Sequence, residues 1–399
     1  MYDELGEKVK SFECIEQMKS RVLLDYQSAS PTTLPNIRNI FFSAKSRGRV
    51  VVTAYFLNQN RFFAHILIPE ESSPLVKDVD KLSYQEIENF VVPESANIYE
   101  ISRNQVSKGL HFGIPPEHEA LSRFLLEPIK EHLQPNDIIC FIPHRFLHRI
   151  PFHALWYNSN TGEYLIEKHP IFYLPSASAL KNYTSNRKRY PKTYLGIYTK
   201  NLPKAGDEIQ KISTLFEDSQ IRSEKEMRKE LAREMERADL IHLALESEFN
   251  SQNPYLSSLI LPDSKPFSVH DILNLRLREE AMVILNTCES GMGELSQGDE
   301  LIGLAWGFLC AGASTVLANL WRVDDEVGSQ VIVHFLMHWK QGLSKAEALQ
   351  RAQINFLAEQ RTKAKDEGWD YLPKRRFPSS IKRLHPYFWA PFVLIGDWQ

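Results

Sequence analysis

Little in this sequence marks it as a secreted, nucleotide-dependent or metal-dependent protein. Its 399 residues hold four cysteines, Cys14, Cys140, Cys288 and Cys310, with no CxxC spacing. A disulfide scaffold or a zinc ribbon needs denser or more regular cysteines. There is no GxxxxGK[ST] loop, no GxGxxG turn and no EF-hand loop, so nucleotide, dinucleotide and calcium chemistry have no motif to rest on. The opening "MYDELGEKVK" lacks a secretory signal, which predicts a cytoplasmic protein with reduced thiols. No cofactor and no metal site are expected. Repeats of solenoid period and low-complexity tracts are also missing.

Charge of either sign is not in excess. Lys and Arg number 47 against 50 Asp and Glu, a formal net charge of −3. That balance gives no global attraction to nucleic acid or anionic membrane. One local exception is the basic run "KRRFPSSIKRLH" at 374–385, which reads as a solvated connection or as a phosphate-binding patch. Residues 301–321 carry no charge and are long enough to span a bilayer. The small-residue break "CAGAS" divides them into a helix-forming part, a turn and a strand-forming part, so no membrane partner is expected.

What is present is an α/β pattern. After mixed helical patterning and the linker "QSASPTTLPN", residues 50–68 read as a β-hairpin turning at "NQN". Helices are predicted near 81–92 and 117–134. Buried strands follow at 137–144, 193–199, 238–245, 281–287 and 313–321, with a closing apolar strand at 387–397. Helices are expected at 208–216, 224–236, 299–310, 325–341 and 347–360. Strands alternating with helices predict a largely parallel sheet with helices on both faces. Ligands in such sheets gather beyond the carboxyl ends of the strands. Cys288 lies just past one strand end, and the segment after Leu245 lies just past another.

Cys288 carries two readings. Backbone N–H groups in "CESGMG", with Gly291 and Gly293 allowing close approach, offer an oxyanion site beside a nucleophile. A buried structural thiol at a strand–loop junction fits the same spacing.

The segments "VILNTCESGMG", "GDELIGLAWGFLCAGASTVLANLWRVDDE" and "PYFWAPFVLIGDW" resemble the CHAT domain, a bacterial branch of the caspase and separase-like cysteine peptidases. "FIPHRFLHRIPFHALW", "YLIEKHPIFYLPSASAL" and "LPKAGDEIQKI" extend the likeness upstream. It covers roughly residues 115–399. This implies a small α+β region at 1–114, then a caspase-like domain at 115–399, divided into 115–190 and a part, 191–399, that carries the cysteine strand. It also implies a protein partner or peptide substrate, and a role in bacterial stress, defence or cell death.

The resemblance maps the nucleophile to Cys288. The family's strand pattern "DILHFATHG" is matched by "DLIHLALESEFN", so His242 takes the place of the structural strand histidine. The catalytic histidine position falls on Glu246 and the oxyanion glycine on Ser247. A histidine takes the thiol proton and then stabilises the thiolate as imidazolium. A glutamate does neither well: reference pKa values of about 4.3 and ~8.5 put the proton transfer uphill by roughly 5 to 6 kcal/mol. An inactive or weakly active peptidase, acting through binding, is the expectation.

An active endopeptidase needs an unexpected base or a site assembled by a partner. His242 lies roughly 13 Å back along its strand from position 246 and reads as a hydrogen-bonded core residue. His144, His148 and His153 read as polar loop residues or as a base brought in by folding. His334 and His338 have the i, i+4 spacing of a metal pair but lack a third ligand, and read as packed helix-face residues. Gly298, Asp299 and Glu300 are expected to open the 299–310 helix, and Asp299 is also a candidate for lining a pocket for a basic side chain. A third reading, a nucleic-acid module, rests on Lys374, Arg375 and Arg376 alone.

Overall fold

In a computed structural model of the chain, the residues described are 8, 10–16, 19, 48–58, 61–71, 73–79, 116–183, 190–200, 202, 204–223, 228–248, 250, 253–287, 294–295, 301–321, 324–368 and 383–399. The helix expected at 81–92, and Cys288, Gly291, Asp299, Lys374, Arg375 and Arg376, lie outside them. Two compact units emerge. One takes the described residues within 1–20, 33–184 and 353–390, the other those within 185–352 and 391–399.

In the first unit, β1 (Val50–Asn58) and β2 (Arg61–Leu67) form the expected hairpin, with Asn58 opposite Arg61. β3 (Leu75–Asp78) adds to β2 antiparallel. Helix α1 (Pro116–Lys130) precedes β4 (Ile138–Ile142), which runs parallel to β1. A small hairpin, β5 (Trp156–Asn158) with β6 (Glu163–Tyr164), leads to β7 (Ile171–Tyr173), parallel to β4. Strand order is β3-β2-β1-β4-β7. Stacked rings of Phe141 and Phe152, 4.4 Å apart, centre the core, and Tyr55 stacks on Phe152 while donating to the Leu125 carbonyl of α1. Among helical residues 10–16, Glu16 accepts from the backbone N–H groups of Ala177 and Ser178 at 3.0 and 2.7 Å.

His144, His148 and His153 fall in this unit, on or beside the short 3-10 turns Arg145–Arg149 and Phe152–Ala154. His144 packs on Phe56, and Nδ1 of His153 lies 3.2 Å from the Tyr173 hydroxyl.

The second unit begins with β8 (Thr193–Tyr198), α2 (Ala205–Ser213), β9 (Asp218–Arg222), α3 (Arg228–Met235) and β10 (Leu240–Ala244). A three-stranded antiparallel sheet follows: β11 (Glu246–Glu248), β12 (Ser258–Ile260) and β13 (Pro266–Ser268). Then come α4 (Val269–Leu273), β14 (Met282–Leu285), the paired β15 (Glu294–Leu295) and β16 (Leu301–Ile302), α5 (Leu304–Cys310), β17 (Thr315–Asn319) and α6 (Asp325–Lys340). Helix α7 (Lys345–Asp366) passes from this unit into the first at residue 353, the short α8 (Pro386–Trp389) belongs to the first, and β18 (Phe392–Gly396) returns to the second.

The main sheet of this unit runs β18-β17-β14-β10-β8-β9. Its pairs are parallel except β17 with β18. β10, β14 and β17 are buried along their whole length, which explains their near-continuous apolar sequences. Gly196 in β8 lets α2 press against the sheet: a Cβ there would meet the Ile209 side chain at 2.6 Å.

Two expectations need correction. The helix predicted at 299–310 begins at Leu304, after the extended N-cap Gly303, and its first turn holds no acidic residue. Leu301 and Ile302 pair as a strand with Leu295 and Glu294 instead. The closing run 387–397 splits as well. His385 caps α8, Pro386 occupies its first turn, and β18 starts at Phe392, antiparallel to its neighbour. Residues 301–321 resolve into strand, helix, a turn at Gly312 (φ +109°) and strand. No helix among the described residues is long and apolar enough to cross a membrane.

Candidate active site

The parallel register of β10 and β14 sets the site. Leu243 pairs with Leu285, and the Asn286 N–H donates to the Leu243 carbonyl at 3.0 Å. Glu246 and Cys288 each stand three residues beyond that last pair in sequence. Past β10 the chain enters β11, where Glu246 and Glu248 are exposed and Ser247 is half-buried. A cavity of ≈ 330 Å³ opens there. Its polar lining among the described residues comes from Glu208, Glu246, Ser247, Glu248, Asn286, Thr287 and Asp325, with no basic residue among these. Thr287, the residue before Cys288, is 5% exposed, and its hydroxyl has no hydrogen-bond partner among the described residues. Of the residues predicted for the site, the structure therefore brings Glu246 and Ser247 to one cavity with Asn286 and Thr287.

His242 is elsewhere. Its side chain is 0% exposed, with Nδ1 3.1 Å from the Tyr194 hydroxyl and Nε2 2.9 Å from a carboxylate oxygen of Glu208. The second contact is close but lacks the alignment of a hydrogen bond. The sequence expectation of a bonded core histidine holds.

Glu208, Asn286, Asn319 and Tyr194 were not singled out by the sequence reading. The amide of Asn286 donates to both oxygens of Glu208 at 3.0 Å, and its carbonyl accepts from Asn319 at 3.1 Å. Burial, reinforced by the Glu208 charge, pushes the Tyr194 phenol well above its ordinary range. One signal was present: Glu208 lies at i+3 from Ala205 and i−4 from Ile212, on the apolar face of α2. An acidic side chain there is buried and must be paired.

His334 and His338 sit on α6 with ring centroids 6.5 Å apart, and His338 faces Gln341. Among the described residues, no group of three or more His, Cys, Asp or Glu side chains converges on a metal position.

The fold of this chain has a counterpart among known structures. One chain of the Saccharomyces cerevisiae separase–securin complex superposes with a TM-score of 0.59 at 12% identity, over 100% of this chain and 34% of that one. This chain thus spans about a third of that chain's length, and the likeness is one of fold. The RgpB pro- and mature-domain complex of Porphyromonas gingivalis gives a TM-score of 0.46 at 9% identity, covering 74% of this chain and 71% of that one. No curated protein matches the sequence. The CHAT domain model matches residues 116–397, which takes in α1, the strands and helices around the cavity, and β18. A caspase-like sheet with that match over most of its length makes this chain a member of the CHAT domain family.

Proposed function

We propose that this chain is a CHAT-domain protein with a degenerate cysteine-peptidase dyad, working as an interaction or regulatory module of a bacterial stress or defence system. In this reading residues 1–114 are a separate region ahead of the CHAT domain, and the site binds a protein partner or a peptide without efficient cleavage. Cys288 holds the nucleophile position, Glu246 the position of the family's base, and Ser247 and Gly291 the oxyanion positions. The observation that supports it is at β10. The side chain offered to the cavity is the Glu246 carboxylate, while the strand's histidine is sealed between Tyr194 and Glu208. A carboxylate next to a thiol opposes thiolate formation by like-charge repulsion.

The test is the rate of iodoacetamide alkylation at Cys288 against pH, read by mass spectrometry beside the other three cysteines. An apparent pKa at or above ~8.5 supports the degenerate dyad. A value well below 7 would replace it with an active endopeptidase that draws on another base.

A further inference from the structure

The main sheet of the second unit has two ends, and the acidic cavity lies at one of them. β8, β10 and β14 run parallel. Where these strands start there is a second cavity, of ≈ 150 Å³. It is lined by the residues that lead into them: Tyr190 and Lys192 before β8, Asp239 before β10, Arg278 and Glu280 before β14. Trp339 of α6 is part of the wall. All six belong to the second unit.

Tyr190 is held in place by three neighbours. Its ring stacks on Phe216, with centroids 5.3 Å apart and planes 12° apart, and meets Trp339 edge-on at 5.3 Å. Nζ of Lys340 stands 5.8 Å from the ring centre. A ring so enclosed has little room to swing its hydroxyl out to water. That hydroxyl is buried and has no hydrogen-bond partner among the described residues. An atom in that state is destabilising until a ligand satisfies it. Burial pushes the phenol above its ordinary range, so the group stays protonated and can donate.

The charged groups of the lining are unevenly partnered. Asp239 accepts from the N–H groups of Lys192 and Thr193, each at 3.0 Å, and from Arg278 at 2.7 Å. Glu280 is partnered too. The Lys192 ammonium has no ion pair among the described residues, and Arg278 gives Asp239 only one terminal nitrogen of its fork. Donors without acceptors beside an aromatic wall suit an acceptor that carries negative charge. The volume is below the roughly 300–1,000 Å³ of pockets that enclose drug-sized ligands, so the occupant is one small group.

We propose that this cavity is a second binding site, for a carboxylate carried on a small apolar body. The Lys192 ammonium and the Arg278 guanidinium meet its oxygens, the Tyr190 hydroxyl donates to one of them, and Trp339 covers the apolar part. A free organic acid or the C-terminus of a partner protein supplies that chemistry. The site lies at the opposite end of the sheet from the acidic cavity and is independent of any role for Cys288.

The experiment uses the full-length protein and isothermal titration calorimetry at low ionic strength, where screening is weakest. The probes are benzoate, its uncharged analogue benzamide, and a tripeptide ending in phenylalanine with either a free or an amidated C-terminus. Benzoate or the free-acid peptide should bind saturably and about tenfold tighter than its uncharged counterpart, the order expected of a charge-assisted hydrogen bond. Lys192→Gln and Tyr190→Phe should each weaken that binding several-fold. Tyr190→Phe removes an oxygen that has no partner, so the melting temperature should not fall.

Tighter binding of the free-acid peptide than of benzoate assigns the site to a protein terminus, and the reverse assigns it to a free acid. No saturable binding of either acid would overturn the proposal. So would equal affinity for the acids and their uncharged counterparts, or an affinity indifferent to both substitutions. Lys192 is exposed, so Lys192→Gln decides if Tyr190→Phe does not fold.

Discussion

Nε2 of His242 and the carboxylate of Glu208 stand 2.9 Å apart with side-chain exposures of 0% and 2%. Both side chains are almost wholly buried, so each depends on the other and on Tyr194 and Asn286. Replacing His242 by alanine is expected to lower stability by about 1–3 kcal/mol, because the buried Tyr194 hydroxyl loses its partner and the Glu208 carboxylate loses a close neighbour. Urea unfolding measures this. A loss below about 1 kcal/mol would mean that Glu208 finds water or a new partner at once.

Glu246→His restores the side chain that the family resemblance places opposite the cysteine. The apparent pKa of Cys288 should fall by at least about one unit as imidazolium replaces carboxylate beside the thiol. The same alkylation titration reads it. An unshifted profile would separate position 246 from the cysteine.

Acid should destabilise the first unit through its buried imidazoles. Burial, together with the charge of His385, holds His118 down at about 3, and burial does the same to His153, also at about 3. Both folded values lie below the unfolded reference of ~6.5, so between these limits the unfolded chain binds the extra protons. Their contribution is intact above ~6.5 and is lost as pH falls towards 3, by up to about 1.4 kcal/mol per pH unit for each histidine. Thermal unfolding recorded between neutral pH and about pH 4 should show this slope, and His153→Gln should make it shallower. An identical slope in the variant would remove His153 from the account.

Gly396 is expected to tolerate no side chain. It has φ +108°, and a Cβ would stand 2.3 Å from the Ser314 carbonyl oxygen, a backbone atom that cannot swing aside. Gly396→Ala should cost more than about 3 kcal/mol, combining left-handed strain with displacement of β18. Gly342 has φ +98° with nothing within 4 Å of the added atom, so Gly342→Ala should cost only about 1 kcal/mol. Melting temperatures of the two variants compare strain alone with strain plus clash.

Legibility followed burial in the longer runs, while β7, buried at all three residues, is too short to stand out. The runs around β4, β8, β10, β14 and β17 declared themselves because strands covered on both faces need apolar residues throughout. β9, "DSQIR", escaped notice because it lies at the sheet margin with its first three residues exposed, and carries no apolar period. β11, "ESE", escaped for the same reason. Leu301 and Ile302 were drawn into the following helix because two apolar residues before a helical run look like its first turn. At the site, Glu246 and Ser247 were reached through the family pattern, and both line the cavity. Glu208 needed the third dimension: its helix position hinted at burial, but the link to Asn286 spans 78 residues.

The pairing of Thr315 with Gly396 also governs how this protein can be cut. Chain within 353–390 belongs to the first unit, yet β18 just beyond it belongs to the second. A fragment stopping near residue 352 would present β17 with one flank stripped of its neighbour, an apolar ribbon with unpaired N–H and C=O groups. Such a piece invites a second copy to supply the missing strand. Self-association seen in a truncated form would therefore report the cut edge and say little about the oligomeric habit of the whole chain.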